Sequence, residues 1–254
     1  EYPNRLSDSQ IVPYVCDNDD FSYTADDLMT FFADKNISLL LLINPDNPSG
    51  HFMPKADVLR LAKWCEKRGV NLLLDESFVD FADVTVDNSL LHNDILESYP
   101  HLMVMKSISK SYGVPGLRLG VFASSDKALI ARIKKEVSIW NINSFAEFYL
   151  QIFGKYENDY KRACEKFIAE RETFYEELKS IPYLRVFPSK ANYFMCEVID
   201  KYTSAELTQR LIDNDVLISN CGLKRNMSGR QLIRLAVRSR EDNSRLVNIL
   251  KTLA

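Results

Sequence analysis

Two apolar strands flanking an amphipathic helix constrain the fold of this chain more than any other feature. Residues 37–43 and 70–75 are almost continuously apolar, which is typical of strands buried on both faces of a parallel sheet. Between them Pro54 marks a helix start and Gly69 a stop. The apolar positions at helical spacing are Val58, Leu61, Ala62 and Cys65. Strand, helix and strand in this order predict a right-handed βαβ unit.

The remaining segments extend this unit into two domains. Residues 102–105 and 119–123 have the pattern of further strands of the same sheet. A long charged helical stretch over residues 144–180 follows them, with a predicted break near Gly154. Its apolar side is formed by Phe148, Ile152, Tyr156, Tyr160, Cys164 and Phe167. After Pro182 the predicted strands and helices become shorter and mixed, and Thr203 with Glu206 has the form of a capping box. We therefore predict a mostly parallel, doubly wound α/β sheet in residues 1–154. A connecting helix and a smaller α+β domain are predicted for residues 155–254.

Charge and hydropathy favour a small molecule as the binding partner. The 254 residues carry a formal net charge of −3, so the chain as a whole does not attract nucleic acid or anionic membranes. A basic stretch over residues 224–245 lacks interleaved stacking aromatics, and we interpret most of it as a solvated face. The longest apolar run is far shorter than the ~20 residues that cross a bilayer. We expect neither nucleic-acid nor membrane binding.

The cysteine pattern predicts a reducing compartment and no metal site. The five cysteines are odd in number and widely spaced, and none of them forms a C-x-x-C pair. Neither a disulfide framework nor a zinc site is therefore indicated. We expect a cytoplasmic protein without a bound metal.

Three polar loops follow predicted strands, at residues 44–50, 75–81 and 107–120. Open α/β sheets bind their ligands beyond the carboxyl ends of strands. Taken singly, each loop has a structural explanation that is as good as a functional one, since short motifs give false positives. The first could be a proline turn, the second a strand that ends in solvated acids, and the third a polar loop with glycines for tight turns. Their conjunction in one chain instead indicates a single site.

In order and spacing these loops resemble a known enzyme family. They read Asn-Pro-Asp-Asn-Pro-Ser-Gly, Asp-Glu-Ser-Phe and Ser-Ile-Ser-Lys, with an arginine eight residues after the lysine and another in a late strand. This pattern resembles the class I and II aminotransferases that use pyridoxal 5'-phosphate and have fold type I. Within them it is most similar to the branch of histidinol-phosphate aminotransferase and threonine-phosphate decarboxylase. The resemblance runs essentially from end to end.

The resemblance implies a role for each matching residue. Lys110 matches the lysine that holds the cofactor as a Schiff base and moves the α-proton. Asp75 matches the carboxylate that keeps the pyridine nitrogen protonated, and Asn47 the amide that bonds the phenolic oxygen. Arg234 matches the arginine that binds the substrate α-carboxylate. The other implied contacts are Ser107, Ser109 and Arg118 at the phosphate, Phe78 beside the cofactor and Asn143 at the substrate.

Two features depart from the common family pattern. Phe78 stands where most aminotransferases have a tyrosine, and phenylalanine there is more typical of threonine-phosphate decarboxylases, as are residues 140–143 and 236–240. Tyr2 matches a position just after the family's ring-stacking aromatic. That aromatic and a glycine-containing phosphate loop would therefore lie upstream of residue 1, so we expect the cofactor site of these 254 residues to be incomplete.

Three functions are compatible with this pattern. The first expectation is an aminotransferase for a small amino acid or amine that carries a phosphate or similar anion. A decarboxylase would use the same cofactor ligands, because the outcome depends on which bond of the α-carbon stands perpendicular to the cofactor ring. A non-catalytic module that keeps the fold is the alternative from another class, and the reading frame upstream of Glu1 would distinguish it. The resemblance also implies a homodimer.

Overall fold

The computed structural model describes residues 10–16, 18–222, 224, 227 and 229–254, so the prediction for Tyr2 lies outside the described residues. The helices are α1 Ala25–Phe31, α2 Lys55–Lys67, α3 Asn93–Ser98, α4 Ile108–Ser111, α5 Lys127–Glu136, α6 Ser144–Phe153, α7 Glu157–Lys179, α8 Ser204–Ile212 and α9 Arg240–Thr252, with 3-10 turns at Val79–Phe81, Pro115–Leu117 and Gly154–Tyr156. The strands are β1 Leu39–Ile43, β2 Asn71–Asp75, β3 Leu102–Ser107, β4 Gly120–Ser124, β5 Leu184–Val186, β6 Tyr193–Val198, β7 Ser219–Asn220 and β8 Leu232–Ala236.

The first sheet has the order β1-β2-β3-β4 and is mostly parallel. Strands β1, β2 and β3 pair in parallel, with Ile43 opposite Asp75 and Asp75 opposite Met105, whereas β4 is antiparallel to β3. Helix α2 connects β1 to β2 and forms the crossover of the predicted βαβ unit. The sheet confirms the fold class expected from the sequence.

One face of this sheet carries the main hydrophobic core. Leu40, Leu42, Leu72 and Leu74 are buried there against α1 and α2. Each fully buried leucine contributes roughly 1.5–3 kcal/mol to folding. Leu39 and Leu41 on the opposite face of β1 are about half exposed, so the expectation that this strand is buried on both faces is wrong for the described residues. The physical reason is that α1 and α2 cover one face only.

The long helical segment is broken near Gly154, as its sequence predicts. The 3-10 turn Gly154–Tyr156 separates α6 from α7 and changes the phase of the helix, because its turn is tighter than an α-helical turn. The predicted apolar side is therefore not continuous: Phe148 and Tyr156 are exposed, whereas Cys164 is buried. Among the described residues, no helix combines the length and apolar character needed to cross a membrane.

The second sheet is antiparallel and smaller. Its order is β5-β6-β8-β7, and α7, α8 and α9 pack against it through a separate core. The predicted capping box at the start of α8 is present, with Thr203 and Glu206 bonding each other's backbone N–H groups. Ser239 caps α9. The two sheets agree with the predicted architecture, and the domain boundary after residue 154 stays a prediction.

Glu76 fastens the segment after β2 to the end of that strand. This residue is 1% exposed, and its carboxylate accepts hydrogen bonds from the Leu90 N–H (2.9 Å) and the Ser89 hydroxyl. Burial is the largest influence on this group and raises the pKa of Glu76 above its ordinary value. The folded protein therefore holds this proton more tightly than the unfolded chain does, and ionisation of Glu76 opposes folding as the pH rises.

Replacing Glu76 by glutamine tests this linkage. The free energy of unfolding of Glu76→Gln, relative to that of the unmodified protein, should increase as the pH rises from about 4 to 7, because ionisation of the buried carboxylate destabilises only the unmodified protein over that range. Urea unfolding of the full-length protein at several pH values measures the difference. Glu206→Gln is the control with the opposite sign, since hydrogen bonds from Thr203 lower the pKa of Glu206. Parallel pH trends for the two variants would contradict the prediction.

Candidate active site

The loop at residues 44–50 is closed by side-chain and backbone hydrogen bonds. The Asn44 amide donates to the Met53 carbonyl and accepts from the Met53 N–H, both at 2.8 Å. Gly50 has a φ of +76°, and a β-carbon there would lie 2.0 Å from the Ser189 hydroxyl oxygen. Only glycine therefore allows the loop to pass this close to the segment between β5 and β6.

Backbone hydrogen bonds join this loop to the next strand end. The Asn44 N–H donates to the Asp75 carbonyl, and the Glu76 N–H donates to the Met105 carbonyl, both at 2.9 Å. Strand pairing thus continues just past the ends of β1 and β2. The three polar loops begin at the same edge of the sheet, where the sequence predicts them to meet.

Ser77 connects Asp75 to the lysine-bearing loop. Its N–H (2.9 Å) and hydroxyl both donate to Asp75 Oδ1, and its own hydroxyl oxygen accepts from the Ser107 N–H at 2.9 Å. The Ser111 hydroxyl donates to the Ser77 carbonyl at 3.2 Å. Sequence reasoning missed Ser77, although a serine two residues after an aspartate is a signal for a turn of this kind.

Lys110 lies on the short helix α4, which begins directly after Ser107. Its side-chain ammonium is 4.4 Å from the centroid of the Phe78 ring, so the two loops that carry these residues meet at this point. No carboxylate within the described ranges forms an ion pair with Lys110. Lys106 differs, because it is buried and its Nζ lies 2.7 Å from an Asp80 carboxylate oxygen. Lys110 therefore has the available amine.

Arg234 reaches this site from the second sheet. Its Nη1 donates to Asn47 Oδ1 at 2.7 Å across 187 residues of sequence, and its guanidinium carbon lies 4.8 Å from the centroid of the Tyr193 ring. Tyr193 in turn meets Phe78 edge to face, with centroids 5.3 Å apart. Sequence analysis missed Tyr193, because an aromatic residue beginning an apolar strand carries no chemical signal of its own.

The predicted phosphate ligands differ in their suitability. Arg118 is exposed at the end of the lysine loop and donates to the Pro115 carbonyl at 3.2 Å, leaving other donors of the guanidinium available to an anion. The Ser107 hydroxyl forms no capping bond at the start of α4. Ser109 is buried, and its hydroxyl donates to the Leu119 carbonyl at 3.3 Å. An anion requires donors, so Ser109 is the least suited of the predicted ligands.

Asn143 has a structural use at the start of α6. Its Oδ1 accepts from the Ala146 N–H at 2.9 Å, and its Nδ2 donates to the Leu117 carbonyl at 3.3 Å. These contacts fix a helix cap onto the lysine loop. The oxygen of the amide is thus engaged, whereas Nδ2 keeps a second N–H, and the substrate contact of Asn143 stays a prediction.

Most described arginines of the basic C-terminal stretch have partners within the protein. The salt bridges are Arg230 with Glu197, Arg238 with Asp242, and Arg240 with Glu177 and Glu170. Arg225 lies outside the described residues. The pairing agrees with the interpretation that most of this stretch serves the surface and fold.

The atoms that remain unused at the site suit pyridoxal 5'-phosphate. Asp75 Oδ2, Asn47 Nδ2 and Lys110 Nζ form no hydrogen bond or ion pair with any residue of the described ranges, while the other polar atoms of Asp75 and Asn47 side chains are held in place. They offer one negative acceptor, one amide donor and one amine. A protonated pyridine nitrogen, a phenolic oxygen and an aldehyde require this set of groups.

Comparison with known proteins agrees with this assembly. The family Aminotransferase class I and II matches residues 4–250. A threonine-phosphate decarboxylase of Salmonella typhimurium is 31% identical over 222 residues, covering 86% of this chain and 58% of the relative. A histidinol-phosphate aminotransferase of Ruminiclostridium cellulolyticum is 27% identical over 246 residues, covering 96% and 65%.

A solved structure has the same fold. The decarboxylase from Sulfurospirillum multivorans superposes with a TM-score of 0.83 at 30% identity, covering 92% of this chain and 67% of that one. The chain spans between 39% and 65% of the length of the first curated relatives that it matches. The match over nearly all its residues shows that the chain belongs to the class I and II aminotransferase family, in the branch that contains histidinol-phosphate aminotransferase and threonine-phosphate decarboxylase.

Proposed function

We propose that the full-length protein uses pyridoxal 5'-phosphate to act on a small amino acid that carries a phosphate or similar anion. The observation that carries this proposal is the convergence of Lys110, Asp75, Asn47 and Arg234 at one edge of the sheet. When bound, the cofactor supplies an electron sink for the α-carbon of the substrate. The Salmonella typhimurium and Ruminiclostridium cellulolyticum relatives act, by their names, on phosphorylated compounds.

The residues of this chain divide the work of such a site. Lys110 supplies the amine that holds the cofactor and then a base or acid for a proton at the α-carbon. Asp75, oriented by Ser77, holds the ring proton with its unused oxygen, because a nearby negative charge favours the protonated nitrogen. Arg118 with Ser107 binds the cofactor phosphate, and Arg234 binds the substrate carboxylate.

We propose decarboxylation as the reaction. Phe78 lies under the Lys110 amine and offers no hydroxyl to the phenolic oxygen, and the Tyr193 hydroxyl cannot replace it because it donates to the Asp46 carbonyl. The Asn47 amide is then the donor that the described residues offer to the phenolic oxygen of the cofactor. Phenylalanine at this position is the feature that resembles threonine-phosphate decarboxylases.

Transamination, which the sequence favours, is the second candidate. The same ligands serve it, and a named relative is a histidinol-phosphate aminotransferase.

The homodimer also remains a proposal. Ile139, Trp140 and Phe145 are 94%, 91% and 80% exposed, which supports the idea that this surface is covered in the assembled protein.

Borohydride labelling tests whether the site is a cofactor site at all. Reduction of the full-length protein loaded with pyridoxal 5'-phosphate should place a pyridoxyl group on Lys110, as peptide mapping by mass spectrometry would reveal. Lys106 is an internal control, because its buried ion pair with Asp80 withholds the amine. Labelling elsewhere with none on Lys110 would refute the assignment, and no labelling would favour a non-catalytic module.

The role of Asp75 is tested by its removal. Asp75→Ala should still permit labelling of Lys110 but lower turnover by about a hundredfold or more, since a charge beside the reacting system is lost. Asp83→Ala is a matched control. Asp83 Oδ1 accepts from the N–H and hydroxyl of Thr85, just as Asp75 Oδ1 accepts from those of Ser77, but Asp83 lies at an exposed position. Equal turnover in the two variants would mean that Asp75 serves only the strand end.

Product analysis distinguishes the two reactions. With O-phospho-L-threonine, decarboxylation releases carbon dioxide and leaves an amine that keeps its nitrogen, whereas transamination conserves the carboxylate and needs a keto acceptor. We expect carbon dioxide and amine in equal amounts without an added acceptor. A keto product formed from O-phospho-L-threonine or histidinol phosphate only with 2-oxoglutarate, and no carbon dioxide, would instead establish transamination.

A further inference from the structure

Tyr193, the first residue of β6, contacts three functional segments at once. Its hydroxyl donates to the Asp46 carbonyl at 2.7 Å, which ties the second sheet to the loop that carries Asn47. The face of its ring lies 4.8 Å from the Arg234 guanidinium carbon, and it meets Phe78 at 5.3 Å with an interplanar angle of 84°. The side chain is 4% exposed.

These contacts restrain Arg234 from two directions. Asn47 Oδ1 accepts from Nη1 at 2.7 Å, while the ring of Tyr193 attracts the cation through its face. Asn47 is itself fixed through Asp46, the preceding residue, whose carbonyl accepts from Tyr193. One tyrosine therefore orients both the arginine and the loop of the amide to which the arginine bonds.

The phenol is suited to positioning and not to proton transfer. Burial, the largest influence, raises the pKa of Tyr193 well above its ordinary value, so the hydroxyl stays protonated and donates permanently. Its hydrogen is already committed to a backbone carbonyl. A group in this state neither gives nor takes a proton during a reaction at neutral pH.

We propose that Tyr193 is a positioning residue that presets Arg234 for the carboxylate of the substrate and holds Asn47 beside it. This inference rests on the proposed function, in which Arg234 binds that carboxylate. It predicts that changes at Tyr193 weaken the binding of ligands that carry a carboxylate. The binding of ligands that lack a carboxylate should hardly change. A residue that serves only the hydrophobic core would affect both kinds of ligand or neither.

The chain offers a closely matched control in Tyr183. This tyrosine is 3% exposed, its hydroxyl donates to the Leu250 carbonyl at 2.8 Å, and it meets Tyr202 edge to face. Burial raises its pKa to about 12. Tyr183 thus has the burial and the type of hydrogen bond of Tyr193, but it lies in the core of the second sheet without contact to Arg234.

The test measures binding without turnover. Calorimetry on the cofactor-loaded, full-length protein compares 3-phosphonopropionate, which has a carboxylate and no amine, with propylphosphonate, which lacks the carboxylate. Tyr193→Leu should weaken 3-phosphonopropionate about tenfold, and Tyr193→Phe, which keeps the ring, about fivefold. Propylphosphonate should change less than about twofold in both variants, since no lost contact concerns it. Tyr183→Phe should leave both dissociation constants unchanged.

The outcomes separate this inference from the proposed function. Equal weakening of both probes, or no weakening of either, in Tyr193→Phe would overturn the positioning role even where Tyr193→Leu fails to fold. Equal binding of the two probes to the unmodified protein would overturn the role of Arg234 and this inference with it. A pyridoxyl label on Lys110 would still support the cofactor site in that case, whereas absence of the label would refute the cofactor site independently of the probes.

Discussion

The register of three parallel strands determines where the chemistry of this protein is assembled. Ile43, Asp75 and Met105 lie opposite one another on β1, β2 and β3, and backbone hydrogen bonds continue the pairing just past the strand ends. A slip by one residue would turn every side chain to the other face of the sheet. The buried leucines on the core face make such a slip costly, because each would exchange a buried position for an exposed one. Hydrophobic packing thus fixes the position of Asp75.

Short polar contacts then connect the loops that follow these strands. Ser77 accepts from the Ser107 N–H and donates to Asp75, so the acid that would hold the cofactor ring and the loop of the lysine share one hydrogen-bonded unit. Such a unit orients Asp75 before any ligand binds, which lowers the cost of ordering a site during catalysis. The unused atoms Asp75 Oδ2 and Lys110 Nζ remain available to the proposed cofactor.

The two sheets are connected through α7 as well as through the site. Arg171 on α7 is fully buried and donates to the Phe81 carbonyl, beyond β2 of the first sheet, and to the Ala191 carbonyl, just before β6 of the second. The Tyr160 hydroxyl of the same helix donates to Asp80 at 2.8 Å. A buried guanidinium is stable only when its donors are satisfied. These bonds therefore hold the turn that carries Phe78 against the second sheet, from which Arg234 and Tyr193 enter the site.

Sequence by itself determined the fold class, the broken helix near Gly154 and the family, because hydrophobic periodicity and motif spacing are local properties that survive without coordinates. It also identified Lys110 and Asp75 as site candidates, since the reactive residue is itself part of the short motif that is recognised. Only the tertiary structure decided that Tyr193 touches Arg234 and that the Ser109 hydroxyl is consumed by a backbone carbonyl. It likewise left Leu41 half exposed where the sequence predicted burial. Such facts depend on packing between segments far apart in the chain, and one strand's pattern cannot encode which neighbour covers it.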